Sequence, residues 1–448
     1  NNNDSKGGYN MALGCGTFTT QNKVLPGAYI NFTSATRASA TLSDRGIVAM
    51  PFVADWGKEG EVIKVTAQEF MKNSISLFGY DYTHPQMQMF REIFKHAKIL
   101  LGYRLNSGAE KAKNDIATAV YGGIRGNALS IVVENNVDGG YIVKTLLDSI
   151  EQHKQIVLTA EELQNNDFVV FNKQTELQAT ANMPLTGGTD GQGRTGENYQ
   201  KFLDKIEKYS FHALGCNTDE KDIIDLFVAF TIRMREQQGV KFQTVVYRAE
   251  NADNEGVISV ENKLLNVDEN LFGEFSIVYW LAGAVAGCEV QKSLTNMAYD
   301  GKYDIDTDYT QMQLEDAVKK GKLIFHNVGD DIRILKDINT LVTVTSQKSE
   351  HFKSNQIVRV LDQIGNDIAA LFYSKYLGKV QNNYAGRIAF WNDIVDYYSQ
   401  LQRIEAITDF TSDDITVEQG ENKDSVVVVT NVAPVQAMEK LYMTVIVK

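Results

Sequence analysis

Three glycines could cradle a phosphate, because Gly191, Gly193 and Gly196 follow the spacing G-x-G-x-x-G. In dinucleotide-binding proteins such glycines directly follow a strand, so that the backbone reaches the pyrophosphate at a helix N-terminus. Here Pro184 and a Gly-Gly-Thr-Asp turn separate the glycines from the preceding run of residues, and the sequence contains no GxxxxGK[ST] loop. We therefore interpret residues 187–196 as a glycine-rich domain connector and expect no cofactor.

The other residue types that carry chemistry are scattered along the chain. No two of the six histidines have the HxxxH spacing that places metal ligands on one helical face, and no G-x-S-x-G nucleophile elbow occurs. The acidic pairs at 330–331 and 413–414 are typical of solvated turns. A Ser-His-Asp triad could still assemble in space, but the spacing gives it no support. The sequence therefore predicts no catalytic residues, no metal site and no enzyme.

Composition limits the remaining classes of function. The chain has 448 residues, a net charge of −13 and 43% hydrophobic residues, which is enough to fill several cores. The acidic balance argues against nucleic-acid binding, which needs clustered Lys and Arg. The longest apolar run, Ser276 to Cys288, is too short to span a bilayer, so we interpret it as a buried helix packed through Gly and Ala. We expect a soluble protein without membrane insertion.

The order of elements indicates several domains. From Ile99 to Ala181, β-branched runs alternate with Asn- and Gly-rich turns, which predicts a β-sandwich or partial barrel. After the connector, helices and strands alternate as in an α/β domain. Two Thr residues, Thr66 and Thr310, are each followed three residues later by Glu or Gln, and these capping boxes predict helix starts.

The last third of the chain predicts two long helices followed by strands. The first helix carries an apolar stripe from Ile357 to Leu371, and the chain ends in the apolar run LYMTVIVK at Lys448. An apolar strand at a chain end needs a partner, because an unpaired edge is adhesive. Two pairings stay open: within its own domain, or with a neighbouring copy by strand addition.

A series of distinctive segments runs in order from about Met11 to Lys448: LPGAYINF, GIVAMPFVADWG, YGGIRGNALSIVV, LTGGTDG, KSLTN (292–296), DINTL (337–341), RVLDQIGNDI, YLGKVQNNYAGR and VAPVQAMEKLYMTVIVK. In these segments the chain resembles the tail sheath proteins of contractile phage tails and of phage-tail-like bacteriocins.

This resemblance implies an α+β multidomain fold. It comprises an N-terminal arm (1–27), strands and helices packing on the α/β core (28–100), a β-sandwich domain (101–182), a non-catalytic subtilisin-like α/β domain (183–337) and a C-terminal α/β sheath domain with an exchanged terminal strand (338–448).

The resemblance also implies the function. Such a protein is a structural subunit that polymerises helically around a tail tube and contracts to drive the tube through a bacterial envelope. Its expected partners are copies of itself, the tail tube protein, and the baseplate and tail terminator proteins. It is expected in the virion tail or in a bacteriocin particle, after synthesis in the host bacterial cytoplasm. The alternatives are the sheath of a bacteriocin rather than of an infectious phage, and an α/β hydrolase.

Two sets of residues follow as candidates for the assembly. The subunit-exchange arms would use Phe18, Val24, Leu25, Tyr29, Val426, Val428, Tyr442, Thr444 and Ile446. The basic residues near the first C-terminal helix form the second set, which we expect to include side chains that face an acidic tube; a solvated helix face is the alternative. This second set comprises Lys353, Arg359, Lys375, Lys379 and Arg387.

Overall fold

The computed structural model describes residues 42–268 and 272–447. These residues form two units. The sandwich unit comprises residues 50–91 and 99–205, and the parallel-sheet unit comprises the described residues up to 49, 92–98 and those from 206 onward. The predicted N-terminal arm (1–27) and the first residues of the region predicted at 28–100, up to residue 41, lie outside the described residues.

The helices are, in chain order, α1 Ala67–Phe78, α2 Gln88–Phe94, α3 Gly196–Ile206, α4 Lys221–Arg233, α5 Ile277–Gly287, α6 Gln311–Lys319, α7 Asn355–Leu371 and α8 Tyr384–Arg403. The strands are β1 Ile47–Phe52, β2 Val62–Thr66, β3 Ile99–Arg104, β4 Ala117–Ala119, β5 Leu129–Asn135, β6 Tyr141–Leu147, β7 Ile150–Val157, β8 Val169–Phe171, β9 Thr180–Pro184, β10 Ala213–Gly215, β11 Gln243–Tyr247, β12 Val257–Val260, β13 Leu264–Leu265, β14 Asp304–Ile305, β15 Lys322–Leu323, β16 Phe325–Val328, β17 Asp331–Ile334, β18 Ile407–Thr408, β19 Ile415–Gln419, β20 Val426–Thr430 and β21 Ala433–Pro434.

The sandwich unit contains a four-stranded antiparallel sheet in the order β7-β6-β5-β9. It also contains the separate antiparallel pair β4–β8. Strand β5 is buried over its first five residues, and β6 alternates between buried and half-buried positions, as a strand with one core-facing side does. Leu129, Ile131, Val133 and Val143 share one apolar core with residues from β8. The predicted β-rich region is therefore confirmed.

The glycine-rich connector packs against a facing loop of the same unit. Residues 186–192 form isolated bridges with residues 107–113. Gly191 has a φ of +70°, and a Cβ atom there would lie 2.2 Å from the Ser107 carbonyl oxygen. A Cβ at Gly193 would lie 3.0 Å from Asn106 Cβ. The glycines of the G-x-G-x-x-G match thus permit close backbone packing, which agrees with the connector interpretation.

The parallel-sheet unit contains parallel strands in the order β15-β12-β11-β10-β1, where β1 contributes Val48 and Ala49. Helix α5 is buried along nearly its whole length, as predicted for the apolar run. A Cβ at Gly283 would lie 2.5 Å from the Ile93 carbonyl oxygen, so the missing side chain allows close packing. Helix α4 continues as a π-helical segment to Gln238 and ends at Gly239.

The C-terminal part of the parallel-sheet unit has its own apolar core. The predicted stripe of α7 supplies Val360 and Leu371, and α8 supplies Phe390 and Ile394. Strand β18 pairs with β21, and β19 pairs with β20, both antiparallel.

The run LYMTVIVK was predicted to be a strand, and this is wrong for the single chain. Residues 435–447 have no regular secondary structure. A strand is defined by hydrogen bonds to a neighbouring strand, and the described part of this chain supplies none to that run.

Candidate assembly surface

The hairpin β19–β20 presents two open edges. Its register runs from Ile415 opposite Thr430 to Gln419 opposite Val426. Within the described ranges the two strands pair only with each other, so no third strand covers the outer edge of β20 or of β19, although the outward-facing Ile415 carbonyl of β19 already accepts a side-chain hydrogen bond. The hairpin is fixed at its base, because the Trp391 indole N–H donates to the Ile415 carbonyl at 2.9 Å. The hairpin is therefore a two-stranded sheet that is attached to α8 at the start of β19.

The C-terminal segment, which we define as residues 440–447, places large apolar side chains in solvent. Leu441, Tyr442 and Ile446 are 84%, 88% and 82% exposed. Isolated exposed apolar residues are common, but a continuous run of this kind marks a site of interaction. In an extended conformation Leu441, Met443 and the later odd-numbered residues would point to one side, and Tyr442, Thr444 and Ile446 to the other. Both sides of such a strand would be largely apolar, as in a strand covered on both faces.

The predicted arm residues fall into three groups. Val426 and Val428 lie on β20, half-buried, and contact the C-terminal core. Tyr442, Thr444 and Ile446 lie in the exposed C-terminal segment. The remaining four, Phe18, Val24, Leu25 and Tyr29, lie outside the described residues. The structure therefore places five of these residues on the hairpin or on the C-terminal segment.

Four of the five basic candidates are at least partly exposed, and each contacts a nearby group. Lys353 pairs with Glu350 at 3.0 Å. Lys375 pairs with Asp393 at 2.6 Å. Lys379 donates to a carbonyl of the preceding turn, and Arg387 donates to an Asn side chain at 3.1 Å. Since two of these charges already have a carboxylate partner, the exposed positive charge is concentrated at Lys379 and Arg387.

The Asp393 carboxylate also accepts a hydrogen bond from the neighbouring Tyr376 phenol. The Tyr376 hydroxyl donates to Asp393 Oδ2 beside the Lys375 ammonium. Burial, and then this hydrogen bond, raise the pKa of Tyr376 well above its usual value. The phenol therefore remains a donor at all physiological pH values and holds the carboxylate in place.

Arg359 lies in the interior. Its guanidinium is 1% exposed and pairs with Asp337, itself 1% exposed, at 3.2 Å. Arg359 also donates to the Lys292 carbonyl at 2.6 Å. In the described chain this cation has no exposed surface to offer, so a tube contact would rest on the other four basic residues.

Sequence reasoning missed the polar side of α7. We define the polar stripe of α7 as the buried polar residues Asn355, Gln356, Arg359, Asp362, Gln363 and Asp367. They are separated by one, three or four residues, a spacing that keeps all six on one side of the helix. A polar stripe normally indicates a solvated face, and the sequence carries no local sign that distant partners cover this one.

The described residues contain no helix that is long and apolar enough to cross a membrane. In the same residues no group of three or more His, Cys, Asp or Glu side chains could hold a metal ion. The described residues do contain an exposed apolar run at 441–447 and a two-stranded hairpin with no third strand on either side.

Comparison with known proteins identifies the family. Four family models match consecutive segments: the tail sheath protein Gp18 domain III N-terminal region at 45–105, the phage tail sheath β-sandwich domain at 106–190, the phage tail sheath central domain at 192–340 and the phage tail sheath C-terminal domain at 347–448.

Individual relatives cover nearly the whole chain. The phage-like element PBSX protein XkdK of Bacillus subtilis (strain 168) is 33% identical over 467 residues, which cover 96% of this chain and 99% of the relative. A solved structure of the sheath tail protein from Desulfitobacterium hafniense is 34% identical, covers 93% of this chain and 98% of its own, and gives a TM-score of 0.78. The helical sheath of the anti-feeding prophage in its contracted state shares the fold, with a TM-score of 0.56 at 12% identity and coverage of 96% and 99%.

The chain belongs to the phage tail sheath protein family. It is a structural subunit of a contractile, helically polymerising tail sheath, and the function predicted from the sequence motifs is confirmed. These matches do not favour the hydrolase or the bacteriocin alternative.

Proposed function

We propose that this chain polymerises around a tail tube by donating its C-terminal segment to the open-edged hairpin of a neighbouring copy. The observation that carries the proposal is the coexistence of an exposed apolar run at 440–447 with an unfilled sheet edge on the same chain. A contact between two different surfaces of identical subunits is heterologous, and such contacts build helices when the rotation does not close a ring.

Burial of the C-terminal segment would make the contact stable. Covering a large aliphatic side chain contributes about 1.5–3 kcal/mol, and the segment offers several that are more than two-thirds exposed. Main-chain hydrogen bonds to the edge of β20 or β19 would fix the register. The cost of ordering the segment is lowered if it already leaves the body in an extended conformation.

Strand exchange also suits a sheath that changes shape. A hydrogen-bonded ladder survives a rigid-body rotation of the domains that it joins, so neighbours stay connected while their bodies slide outward. The free energy for driving the tube would come from better contacts between subunits in the shorter, wider sheath. The proposed mechanism therefore needs no catalytic step, and we propose that the protein has no enzymatic activity and needs no cofactor.

The finer assignments belong to the same proposal. The tail tube protein, the baseplate and the tail terminator are the proposed partners, with Lys353, Lys375, Lys379 and Arg387 as the charges that would meet an acidic tube. The parallel strands of the second unit would correspond to the subtilisin-like topology. Synthesis in the host bacterial cytoplasm would precede incorporation into a tail.

The experiment compares two substitutions at the middle of the C-terminal segment. Thr444→Pro removes a ladder N–H and fixes φ, whereas Thr444→Ala keeps the backbone donor. We expect the wild-type chain and Thr444→Ala to form tubular polymers or stacked rings in negative-stain electron microscopy at high concentration, and Thr444→Pro to remain unassembled. Assembly of Thr444→Pro equal to that of Thr444→Ala would overturn the proposed strand exchange.

A further inference from the structure

Helix α7 meets both ends of the described chain through its polar stripe. The stripe lies in the parallel-sheet unit, and all its members are buried or nearly so. Buried polar side chains need partners, because an unsatisfied group costs about 1–3 kcal/mol. The partners of this stripe show what α7 holds.

The C-terminal half of the stripe binds the segment that follows the N-terminal arm. Gln363 Nε2 donates to Ser43 Oγ at 2.6 Å, and Ser43 in turn donates to the Asp367 carboxylate, 324 residues away in sequence. Arg45 donates to Gln363 Oε1 at 3.3 Å and, through Nε, to the Cys288 carbonyl at 2.9 Å. The Tyr397 hydroxyl donates to Asp367 at 2.8 Å and fixes that carboxylate. Residues 43–45 are therefore attached to α7 by side-chain hydrogen bonds.

The N-terminal half of the stripe binds the chain just before the C-terminal segment. The Ala437 backbone N–H donates to Gln356 Oε1 at 3.0 Å, while Gln356 Nε2 donates to the Gln291 carbonyl at 2.8 Å. Two residues later Glu439 accepts from the Thr295 hydroxyl at 2.9 Å and pairs with Lys336 at 3.7 Å. The exposed C-terminal segment starts directly after Glu439.

We propose that α7 anchors the root of the C-terminal segment through Gln356 and holds residues 43–45 through Gln363, and that both glutamines are positioning residues for strand exchange. This inference rests on the proposed function. The two glutamines are seven residues apart, which is about 10 Å along the helix. Load that enters a subunit through the C-terminal segment would therefore reach residues 43–45 along two turns of a single helix.

Fixed roots matter because an arm transmits motion only if its base is held. A loose base would add flexible residues to the connection, which raises the entropic cost of reaching the neighbour and lets bodies rotate without pulling on the arm. The segments KSLTN and DINTL contribute to this attachment. Thr295 of the first donates to Glu439, and Asp337 of the second accepts from the Leu294 N–H at 2.9 Å, which links the two segments.

The test measures the attachment of residues 435–440 to α7 separately from the assembly of the polymer. Gln356→Met removes both hydrogen bonds at nearly constant volume, and Gln356→Glu keeps an acceptor for the Ala437 N–H. The matched control is Asn366→Ala, which removes a hydrogen bond of 3.0 Å from α7 to the Lys241 carbonyl and touches neither root. Glu439→Ala removes the contacts of Glu439 with Thr295 and Lys336. It carries little risk to folding, because these partners lie at the surface.

In unassembled protein we expect hydrogen exchange at 435–440 to be about fivefold faster in Gln356→Met and Glu439→Ala than in Asn366→Ala. We expect polymer yield to fall in the first two variants and to recover in Gln356→Glu. Unchanged exchange in both root variants, or normal polymer yield despite faster exchange, overturns the inference. Failure of the wild-type chain to polymerise would instead contradict the proposed function, and the exchange result would still decide the root attachment.

Discussion

The substitution Arg359→Met should destabilise the parallel-sheet unit strongly. It removes the guanidinium from an ion pair in which both partners are 1% exposed and leaves Asp337 without a counter-charge. Asp337 would keep two neutral donors, from Leu294 N–H at 2.9 Å and Asn355 Nδ2 at 2.9 Å, which stabilise the carboxylate but do not neutralise it. Breaking one side of a buried ion pair costs about 3–5 kcal/mol, so we expect a loss within that range.

The double variant Arg359→Met with Asp337→Asn should recover part of this loss, because it leaves no uncompensated charge. The assay is hydrogen exchange of the α7 amides in urea, which follows this unit separately from the sandwich unit. Lys379→Met is the control, since its side chain is exposed and should change the stability by less than about 0.5 kcal/mol. A loss below about 1 kcal/mol for Arg359→Met would refute the buried pair and return Arg359 to the surface candidates.

Three further predictions concern other parts of the molecule. Burial lowers the pKa of His212 well below its usual value, so the unfolded chain binds a proton at a higher pH than the folded chain does. The free energy of unfolding should therefore fall as the pH drops below about 6.5, by up to about 1.4 kcal/mol per pH unit. Urea unfolding at a series of pH values should show a weaker dependence of stability on pH for His212→Asn. Gly191→Ala should lower the melting temperature more than Gly187→Ala, because both have positive φ but only Gly191 faces a close carbonyl, and equal shifts in calorimetry would contradict the packing role. Charge reversal at Lys379 and Arg387, which have no carboxylate partner among the described ion pairs, should weaken co-sedimentation with the tube protein while self-assembly persists, and unchanged binding would count against a basic tube contact.

Local signals in the sequence predicted local structure well. The capping boxes at Thr66 and Thr310 form both of their reciprocal hydrogen bonds, because each box joins residues only three apart. The apolar run at 276–288 formed the buried helix α5 over most of its length, as predicted from its composition.

The candidate site depends on contacts that no local pattern contains. Arg359 was named among the tube-facing candidates because it belongs to the basic residues around α7, but Asp337 and the Lys292 carbonyl are its partners in the interior. The polar stripe of α7 is recognisable only once Ser43 and Ala437 are placed beside it. The run LYMTVIVK has the composition of a strand, yet its pairing depends on a partner, and the sequence of a single chain does not specify where that partner lies.

A cryo-electron microscopy reconstruction of the polymer formed by the full chain tests the central claim most directly. The account predicts that residues 441–447 form a strand, hydrogen-bonded to the edge of the hairpin β19–β20 of an adjacent subunit. Residues 441–447 paired with the hairpin of their own chain, or subunits joined only through the surfaces of their domains, would contradict it.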